Sequence, residues 1–312
     1  YSIIDYPTGR SNHNVPTPKG AGLIIIPMVA ISTLIFFYFI EHFFFEWIVI
    51  FLLCLLLGMI SFIDDIKNLS TKIRLFLQLF IVSLSLIIYI EPITKNLFSA
   101  PVSFEKYGPL IICFIFMFIL ISWMWIINLY NFMDGIDGLT ALQVCTVAIC
   151  TNFLSIFGYI NEEYQYFSLI LFAVYLAFYK FNQSPAKIFL GDVGSITSGY
   201  LVGFIMISCL LTNGILLPII IVNMYYILDS SITLLIRFYK RDNVLEAHSD
   251  HFYQKMVRKG YQHSYVIKWI FGLNSILLIL SLVSIKLPII SFIFSILFTT
   301  GLLYLFYVKK EI

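Results

Sequence analysis

The amino-acid sequence predicts an all-α, polytopic integral membrane protein. The chain has 312 residues, of which 60% are hydrophobic and only 12% are charged. A soluble domain carries roughly twice that share of charged residues, and so apolar a composition also excludes a disordered or fibrous chain. Apolar stretches of about 20 residues, the length that crosses the hydrocarbon core of a bilayer, recur along the whole sequence.

Ten stretches qualify as membrane spans. An uncharged run over residues 193–228 is too long for one crossing, and the Asn213-Gly214 step divides it. We therefore expect a single domain over residues 1–312, built as a helical bundle with ten transmembrane helices and with catalytic loops at one face. The predicted spans are approximately 22–40, 47–63, 75–90, 107–127, 139–160, 164–181, 195–211, 215–236, 266–285 and 287–308.

Basic residues indicate the orientation of these spans. If the ten crossings alternate, all 19 Lys and Arg residues except Lys95, Lys106 and Lys286 fall on one side. Cytoplasmic loops hold the excess of Lys and Arg, so this side is predicted to face the cytoplasm. The net charge of +2 is too small to indicate nucleic-acid binding, and the five cysteines lie in apolar runs without CxxC spacing, as small hydrophobic residues do.

The first polar cluster at this face is the adjacent pair Asp64 and Asp65. Neighbouring carboxylates at a membrane boundary repel each other, which raises the proton affinity of one unless a cation compensates. Such a pair suits metal binding or a general base. The alternative is a solvated loop whose acids balance Lys67 and Lys72.

The second cluster spans residues 128–138, where Asn128, Asn131, Asp134 and Asp137 bring four oxygen donors between two spans. The two Asp-Gly steps allow a tight backbone, and amide and carboxylate oxygens are ligands for hard cations. A plain connecting turn also uses Gly and Asp, but it does not need four such donors.

The third and fourth clusters precede and follow later spans. Gly191 and Gly194 bracket Asp192, so that backbone N–H groups at a helix start could approach a phosphate while the carboxylate binds Mg²⁺; helix capping is the simpler alternative. In residues 246–254, His248 and His251 could donate to a diphosphate. The two histidines could also make a zinc site with Asp250, but no Cys or third close His supports it, and a solvated amphipathic loop is the alternative.

Together with the entry stretch Pro-Thr-Pro-Lys-Gly-Ala-Gly at residues 16–22, these clusters resemble, in this order, the polyprenyl-phosphate N-acetylhexosamine-1-phosphate transferases. This is glycosyltransferase family 4, the superfamily of MraY, WecA and TagO, in which the entry motif is Pro-Thr-Pro-Arg-Gly-Gly-Gly. The likeness covers nearly the whole chain and is most specific in residues 64–65, 131–138 and 191–195.

Residues 246–254 and Asp229 are similar to the WecA-like and WbpL-like bacterial branch rather than to MraY. This argues against a muramoyl-pentapeptide substrate. In that branch a further transmembrane helix precedes the entry stretch, so the resemblance implies an eleventh, N-terminal helix beyond the sequence given.

The resemblance implies a reaction: transfer of N-acetylhexosamine-1-phosphate, with GlcNAc-1-phosphate expected, from a UDP-sugar to undecaprenyl phosphate, giving an undecaprenyl-diphosphate sugar and UMP. This step would initiate O-antigen or similar envelope polysaccharide synthesis. A FucNAc-type or QuiNAc-type donor is the alternative within the class. A membrane transporter is the alternative outside it, but it predicts polar residues and broken helices at mid-span, where only a few such as Gln78 and Asn152 are found.

The resemblance also implies residue roles. Asp64 and Asp65 are the catalytic pair, with Asp64 deprotonating or orienting the lipid phosphate, and a covalent aspartyl-phosphate route stays open. Asn131 and Asp192 would hold Mg²⁺, with Mn²⁺ as a substitute. The expected substrate-binding residues are Lys19, Asn68, Lys72, Arg74, Asp134, Asp137, Lys187, His248 and His251.

The implied partners are a UDP-amino sugar, undecaprenyl phosphate and the lipid bilayer. The implied location is the bacterial cytoplasmic, or inner, membrane, with the active site facing the cytoplasm. The resemblance leaves a homodimer open.

Overall fold

A computed structural model describes residues 4–7, 15–41, 45–67, 69–88, 108–243, 246 and 248–311. These residues form an all-α bundle with two very short strands, which confirms the predicted fold class. In chain order the elements are β1 Ile4–Asp5, β2 Thr17–Pro18, α1 Gly22–Phe39, α2 Phe45–Lys67, α3 Thr71–Ile87, α4 Gly108–Phe132, α5 Leu139–Ile156, α6 Glu163–Asn182, α7 Gly191–Asn213, α8 Leu217–Val222, α9 Met224–Tyr239, α10 Phe252–Arg258, α11 His263–Val283 and α12 Pro288–Val308.

Over the residues that the structure describes, each of the ten predicted spans coincides largely with helical structure. Within the described part of the chain, seven helices are long and apolar enough to cross a membrane, namely those in α1, α2, α4, α5, α7, α11 and α12. Helix α3 is shorter, with 17 residues, and α6 has a more polar composition, with Glu163 in its first turn and Lys180 in its last. The molecule is therefore a multi-pass membrane protein.

The predicted span over residues 215–236 is wrong in one respect, because it is two helices rather than one. Helix α8 ends at Val222 and α9 starts at Met224, with Asn223 between them. Gln143 Nε2 donates to the carbonyl of Val222 at 3.0 Å, and Tyr130 Oη donates to Asn223 Oδ1 at 2.8 Å. A broken helix needs such partners, since no water reaches its freed backbone groups inside a membrane.

Helix α7 lies at the centre of the bundle. In the 18-residue apolar stretch of α7 that could span the membrane, 89% of the residues are buried inside the protein, against 33% in the corresponding stretch of the peripheral α12. Trp123 of α4 is packed on it, with the indole N–H donating to the carbonyl of Tyr200 at 2.9 Å and the two rings stacked 5.1 Å apart. Because α7 is fixed on several sides, the residues at its start are held in one position relative to α1, α2 and α4.

Candidate active site

The end of α2 places Asp64 and Asp65 against basic side chains from two other segments. Asp65 Oδ1 accepts a hydrogen bond from Lys19 Nζ at 2.9 Å, and Asp64 Oδ2 accepts one from Arg74 Nη1 at 3.1 Å. Asp64 Oδ1 also accepts the backbone N–H of Leu69 at 2.7 Å, and Asp64 is only 6% exposed. The pair therefore belongs to a largely buried ion network rather than to a solvated loop.

Arg74 connects this pair to the third acidic position. Its Nη1 lies 3.9 Å from Oδ2 of Asp192, while it donates to Asp64. Helix α7 begins at Gly191, and no side chain caps it. Asp192 therefore does not act as a helix cap, and its carboxylate is left to face Arg74.

Lys19 is the second cation of the network. Burial by itself lowers the pKa of its ammonium group, but the hydrogen bond and charge of Asp65, with the charges of Asp192 and Asp5, outweigh burial and raise it above its ordinary value. Lys19 consequently stays protonated at neutral pH.

Extended backbone brings Lys19 and Asp192 together. Strand β1 pairs antiparallel with β2, and the chain continues from β2 into a parallel bridge between Lys19 and Phe189. Phe189 donates its N–H to the carbonyl of Pro18 at 2.8 Å. A Cβ on Gly22 would lie 2.3 Å from the backbone nitrogen of Gly194, so the start of α1 approaches the start of α7 only because residue 22 has no side chain.

The loop between α4 and α5 supplies the amide and two further carboxylates. Asn131 Nδ2 donates to Ser195 Oγ at 3.1 Å, and the Asn131 amide also hydrogen-bonds to Asp192. Burial of Asp134, together with the negative charge of Asp192, raises its pKa to about 7, against the opposing effect of a hydrogen bond with Thr140. Asp134 thus lies close enough to Asp192 for the two carboxylates to disfavour each other's ionisation.

Asp137 is held by its neighbours on several sides. Its Oδ2 lies 3.1 Å from Nδ1 of His263 and accepts the backbone N–H of Ala186 at 3.1 Å. Burial raises the pKa of this carboxyl, but the hydrogen bonds and charge of His263 and the Ala186 N–H more than offset burial, so the pKa is lowered. Asn182 supports the same loop by accepting the N–H of Gly138 at 2.8 Å.

Some of these groups line a cavity of about 250 Å³, whereas Asp64, Asp65, Arg74 and Asn131 are not in its wall. The polar side chains in its wall come from segments far apart in the sequence and include four carboxylates, one ammonium group, two amides and an imidazole. They are Asp5, Lys19, Asp134, Asp137, Asn182, Asp192, Gln254 and His263.

Asp229 of α9 holds the loop that carries His248 and His251. The carboxylate of Asp229 is fully buried, and its Oδ1 lies 3.1 Å from His251 Nδ1 and accepts the N–H of Phe252 at 3.1 Å. The rings of His248 and His251 are stacked 5.1 Å apart. Neither histidine is among the residues that line the cavity.

A protein-family comparison matches this architecture. The family model described as "Glycosyl transferase family 4" matches residues 47–210, which is more than half of the chain. The chain belongs to glycosyl transferase family 4. The matched region runs from α2 to α7 and contains the paired carboxylates, the loop after α4 and the start of α7.

Curated relatives in the family are bacterial transferases. The chain is 28% identical over 252 residues to the "Phospho-N-acetylmuramoyl-pentapeptide-transferase" of Lactococcus lactis subsp. cremoris (strain MG1363), covering 77% of this chain and 72% of the relative. It is 26% identical over 295 residues to the "Probable undecaprenyl-phosphate N-acetylglucosaminyl 1-phosphate transferase" of Bacillus subtilis (strain 168), covering 88% and 77%.

Asn131 and Asp192 are chemically suited to hold the Mg²⁺ that the family resemblance implies. Among the described residues no group of three His, Cys, Asp or Glu side chains is arranged as a metal cluster. The Asn131 amide and the Asp192 carboxylate are nevertheless in contact, and the carboxyl group of Asp134 is nearby. Mg²⁺ is held by one or two carboxylates plus waters and substrate phosphates, so a small hard-oxygen set suits it.

The structure brings together most, but not all, of the site residues expected from the sequence. Lys72 and Lys187 are exposed, and neither lines the cavity or forms an ion pair among the described residues. Asn68 lies outside the described residues. The expected residues that do converge are Lys19, Asp64, Asp65, Arg74, Asn131, Asp134, Asp137 and Asp192.

Four polar cavity residues were not among the site residues expected from the sequence, and one of them is His263 at the start of α11. Asp5 reaches the cavity through the pairing of β1 with β2, Asn182 through the end of α6, and Gln254 through α10. Gln254 follows His251 by one helical turn, and this spacing is the one sequence signal that could have indicated it. Asp5 and Asn182 have no local motif that marks them.

Proposed function

We propose that the protein transfers N-acetylhexosamine-1-phosphate, with GlcNAc-1-phosphate as the expected group, from a UDP-sugar to undecaprenyl phosphate. The observation that carries the proposal is the convergence of Asp64, Asp65, Asp192, Lys19 and Arg74 at one end of the bundle. At this position a lipid phosphate can reach the site while its tail remains in the bilayer. The name of the Bacillus subtilis relative supports this acceptor and donor.

The first physical requirement is that two anionic phosphates approach each other. Lys19 and Arg74 supply fixed positive charge, and both are held by carboxylates so that they need little reorganisation when substrates bind. Phosphoryl transfer depends mainly on such positioning and charge stabilisation. We assign Arg74, which lies between Asp64 and Asp192, to the contact with the lipid phosphate.

Asp64 and Asp65 orient the attacking phosphate. An oxygen of the lipid phosphate forms a bond to the sugar-linked phosphorus of the UDP-sugar, while the bond from that phosphorus to the bridging oxygen breaks and its electron pair leaves with UMP. A carboxylate at this position takes up the proton of a monoprotonated lipid phosphate. Attack by Asp64 itself, followed by transfer from an aspartyl phosphate, is the alternative route.

Asn131 and Asp192 would hold the magnesium ion. When bound there, the cation neutralises the diphosphate and stabilises the charge that develops on the leaving UMP. Asp134 is close enough to Asp192 for the two carboxyl groups to interact electrostatically, and it is a further acidic residue of the site. Asp137 and His263 lie farther along the cavity wall, where the nucleoside end of the donor is expected.

The basic face of the bundle supports a cytoplasmic orientation, since sugar nucleotides are cytoplasmic and Lys and Arg are concentrated at the proposed site's end. We infer a role at the bacterial cytoplasmic membrane, in the first lipid-linked step of an envelope polysaccharide such as an O-antigen.

The test uses membranes that contain the full-length protein, undecaprenyl phosphate, Mg²⁺ and a panel of donors. The panel is UDP-GlcNAc, UDP-FucNAc, UDP-QuiNAc and UDP-MurNAc-pentapeptide, and the readouts are UMP release and mass spectrometry of the lipid product. We expect UMP and a lipid-diphosphate sugar with UDP-GlcNAc. If only another donor gives UMP, that donor replaces GlcNAc in the assignment. If none of the donors gives UMP, the proposal is overturned.

A further inference from the structure

The side-chain amide nitrogen of Gln254, Nε2, is available to a ligand. Gln254 is only 8% exposed and lines the cavity beside Gly135. Its Oε1 accepts the backbone N–H of His251 at 3.3 Å, which fixes the orientation of the amide. Among the described residues, no hydrogen bond from Nε2 to the protein is found, so this N–H is available to a ligand in the cavity.

The loop after α4 is shaped to accommodate this amide. A Cβ at position 135 would lie 2.9 Å from Gln254 Nε2 and 2.3 Å from the hydroxyl of Tyr253, so any side chain there would displace the ends of both. Tyr253 Oη donates to the carbonyl of Phe132 at 2.9 Å and attaches the start of α10 to this loop. The amide therefore lies against the segment that carries Asp134.

The orientation of α10 is set by the pair of Asp229 and His251. Asp229 is fully buried, and His251 is 2% exposed. Besides His251 and Phe252, Tyr225 Oη contributes a hydrogen bond to Asp229 at 3.2 Å. An imidazole so enclosed and paired with a buried carboxylate is placed to hold the loop.

We propose that Gln254 donates a hydrogen bond to an oxygen of the bound sugar nucleotide, and that Asp229 and His251 are the positioning pair that holds it there. The ligand oxygen belongs either to the diphosphate or to the hexosamine. The proposal rests on the proposed function, because a UDP-sugar is the ligand in question.

Binding tests this proposal without turnover. Isothermal titration calorimetry of the purified full-length protein with Mg²⁺ would compare UDP-GlcNAc, UDP and UMP for wild type, Gln254→Ala and the control Gln262→Ala. Gln262 is an exposed glutamine eight positions along the chain. Loss of a hydrogen bond to a charged or strongly polar oxygen corresponds to a Kd raised by about tenfold to hundredfold, and we expect this for Gln254→Ala alone.

The ligand series distinguishes the two sources of the oxygen. Weaker binding of both UDP-GlcNAc and UDP indicates a diphosphate contact, whereas weaker binding of UDP-GlcNAc alone indicates a hexosamine contact. Unchanged Kd values for Gln254→Ala would overturn the inference. If wild type binds donor but releases no UMP, the proposed function fails and the Gln254 comparison still stands; if wild type binds no ligand, both fail.

The positioning pair has its own test at His251. An asparagine amide nitrogen can take the place of Nδ1 facing Asp229, whereas a glutamine amide takes the place of Nε2. We expect His251→Asn to weaken donor binding less than His251→Gln does, and the double variant His251→Gln/Gln254→Ala to bind no more weakly than Gln254→Ala alone. The reverse order, or additive losses, would show that His251 meets the ligand directly.

Discussion

Lys19 and Asp65 form an ion pair across 46 positions of sequence, with Nζ 2.9 Å from Oδ1. Lys19 precedes the first helix, and Asp65 lies near the end of the second. The pair links the entry stretch to the acidic end of α2, and Asp192 and Asp5 also act on the same ammonium group. Its position in the cavity wall makes Lys19 the first target for mutation.

Replacing Lys19 by Met should lower kcat/KM by about 100-fold or more, because a fixed positive charge beside two phosphates is lost. Lys19→Arg should keep a larger share of activity, since the charge is retained. The measurement is UMP release, with Lys286→Met, an exposed lysine at the other end of the bundle, as the control. Equal activity of Lys19→Met and wild type would remove Lys19 from the site.

Asp64 and Arg74 should be energetically coupled. Asp64→Asn and Arg74→Gln each remove one partner of a 3.1 Å ion pair and leave the other uncompensated. We expect each variant to lose about 100-fold in kcat/KM, with the double variant losing far less than the product of the two. Fully multiplicative losses would mean that the two residues act independently.

Removal of the metal should abolish activity, and Mg²⁺ should restore it, with Mn²⁺ as a substitute. Asp192→Asn keeps the shape of the side chain but removes its charge, so the Mg²⁺ concentration for half-maximal activity should rise by about tenfold or more. The control is Asp242→Asn, an exposed acid beyond α9. An unchanged Mg²⁺ requirement in Asp192→Asn would contradict the metal assignment.

His248 should make the protein sensitive to acid. Burial, then the charges of His251, Arg237 and Lys255, lower its pKa from 6.5 to about 4, against the opposing effect of Asp250. Between these values the unfolded chain binds a proton that the folded protein does not, so the contribution to stability is present above pH 6.5 and is lost as the pH falls toward 4.

The measurement is the Tm of the detergent-solubilised protein between pH 7 and 4.5. We expect the Tm of wild type to fall with acidification and that of His248→Gln to fall less steeply. Parallel slopes for the two proteins would show that another group is responsible.

Gln143 should matter for stability rather than for chemistry. It donates to the Val222 carbonyl at the helix break and accepts a hydrogen bond from Asn274 Nδ2 at 3.0 Å. Gln143→Leu leaves these buried groups unpaired, with an expected cost of about 1 to 3 kcal/mol each. The Tm should fall markedly, while Gln183→Leu, at an exposed glutamine, should change it little. A Tm equal to that of wild type would contradict this role.

The positions of the helices could be predicted from the sequence because membrane spans need long apolar runs, and the described residues of the ten predicted runs are largely helical. The break at Asn223 could not be predicted, since its partners, Gln143 and Tyr130, come from other helices. The carboxylates at the ends of α2, α4 and α7 were identifiable because they are rare in so apolar a chain.

The sequence by itself determined the class of the protein, the helices and the acidic motifs, because all three depend on local composition and spacing. Tertiary structure decided which polar residues share the cavity. In the folded protein, His251 faces the buried Asp229, and Gln254 lines the cavity. Lys72 and Lys187 lie outside the cavity wall. Asp5 reaches the wall through the pairing of two short strands. The physical reason is that a side chain's access to a cavity depends on the packing of segments far apart in the chain, which local spacing does not contain.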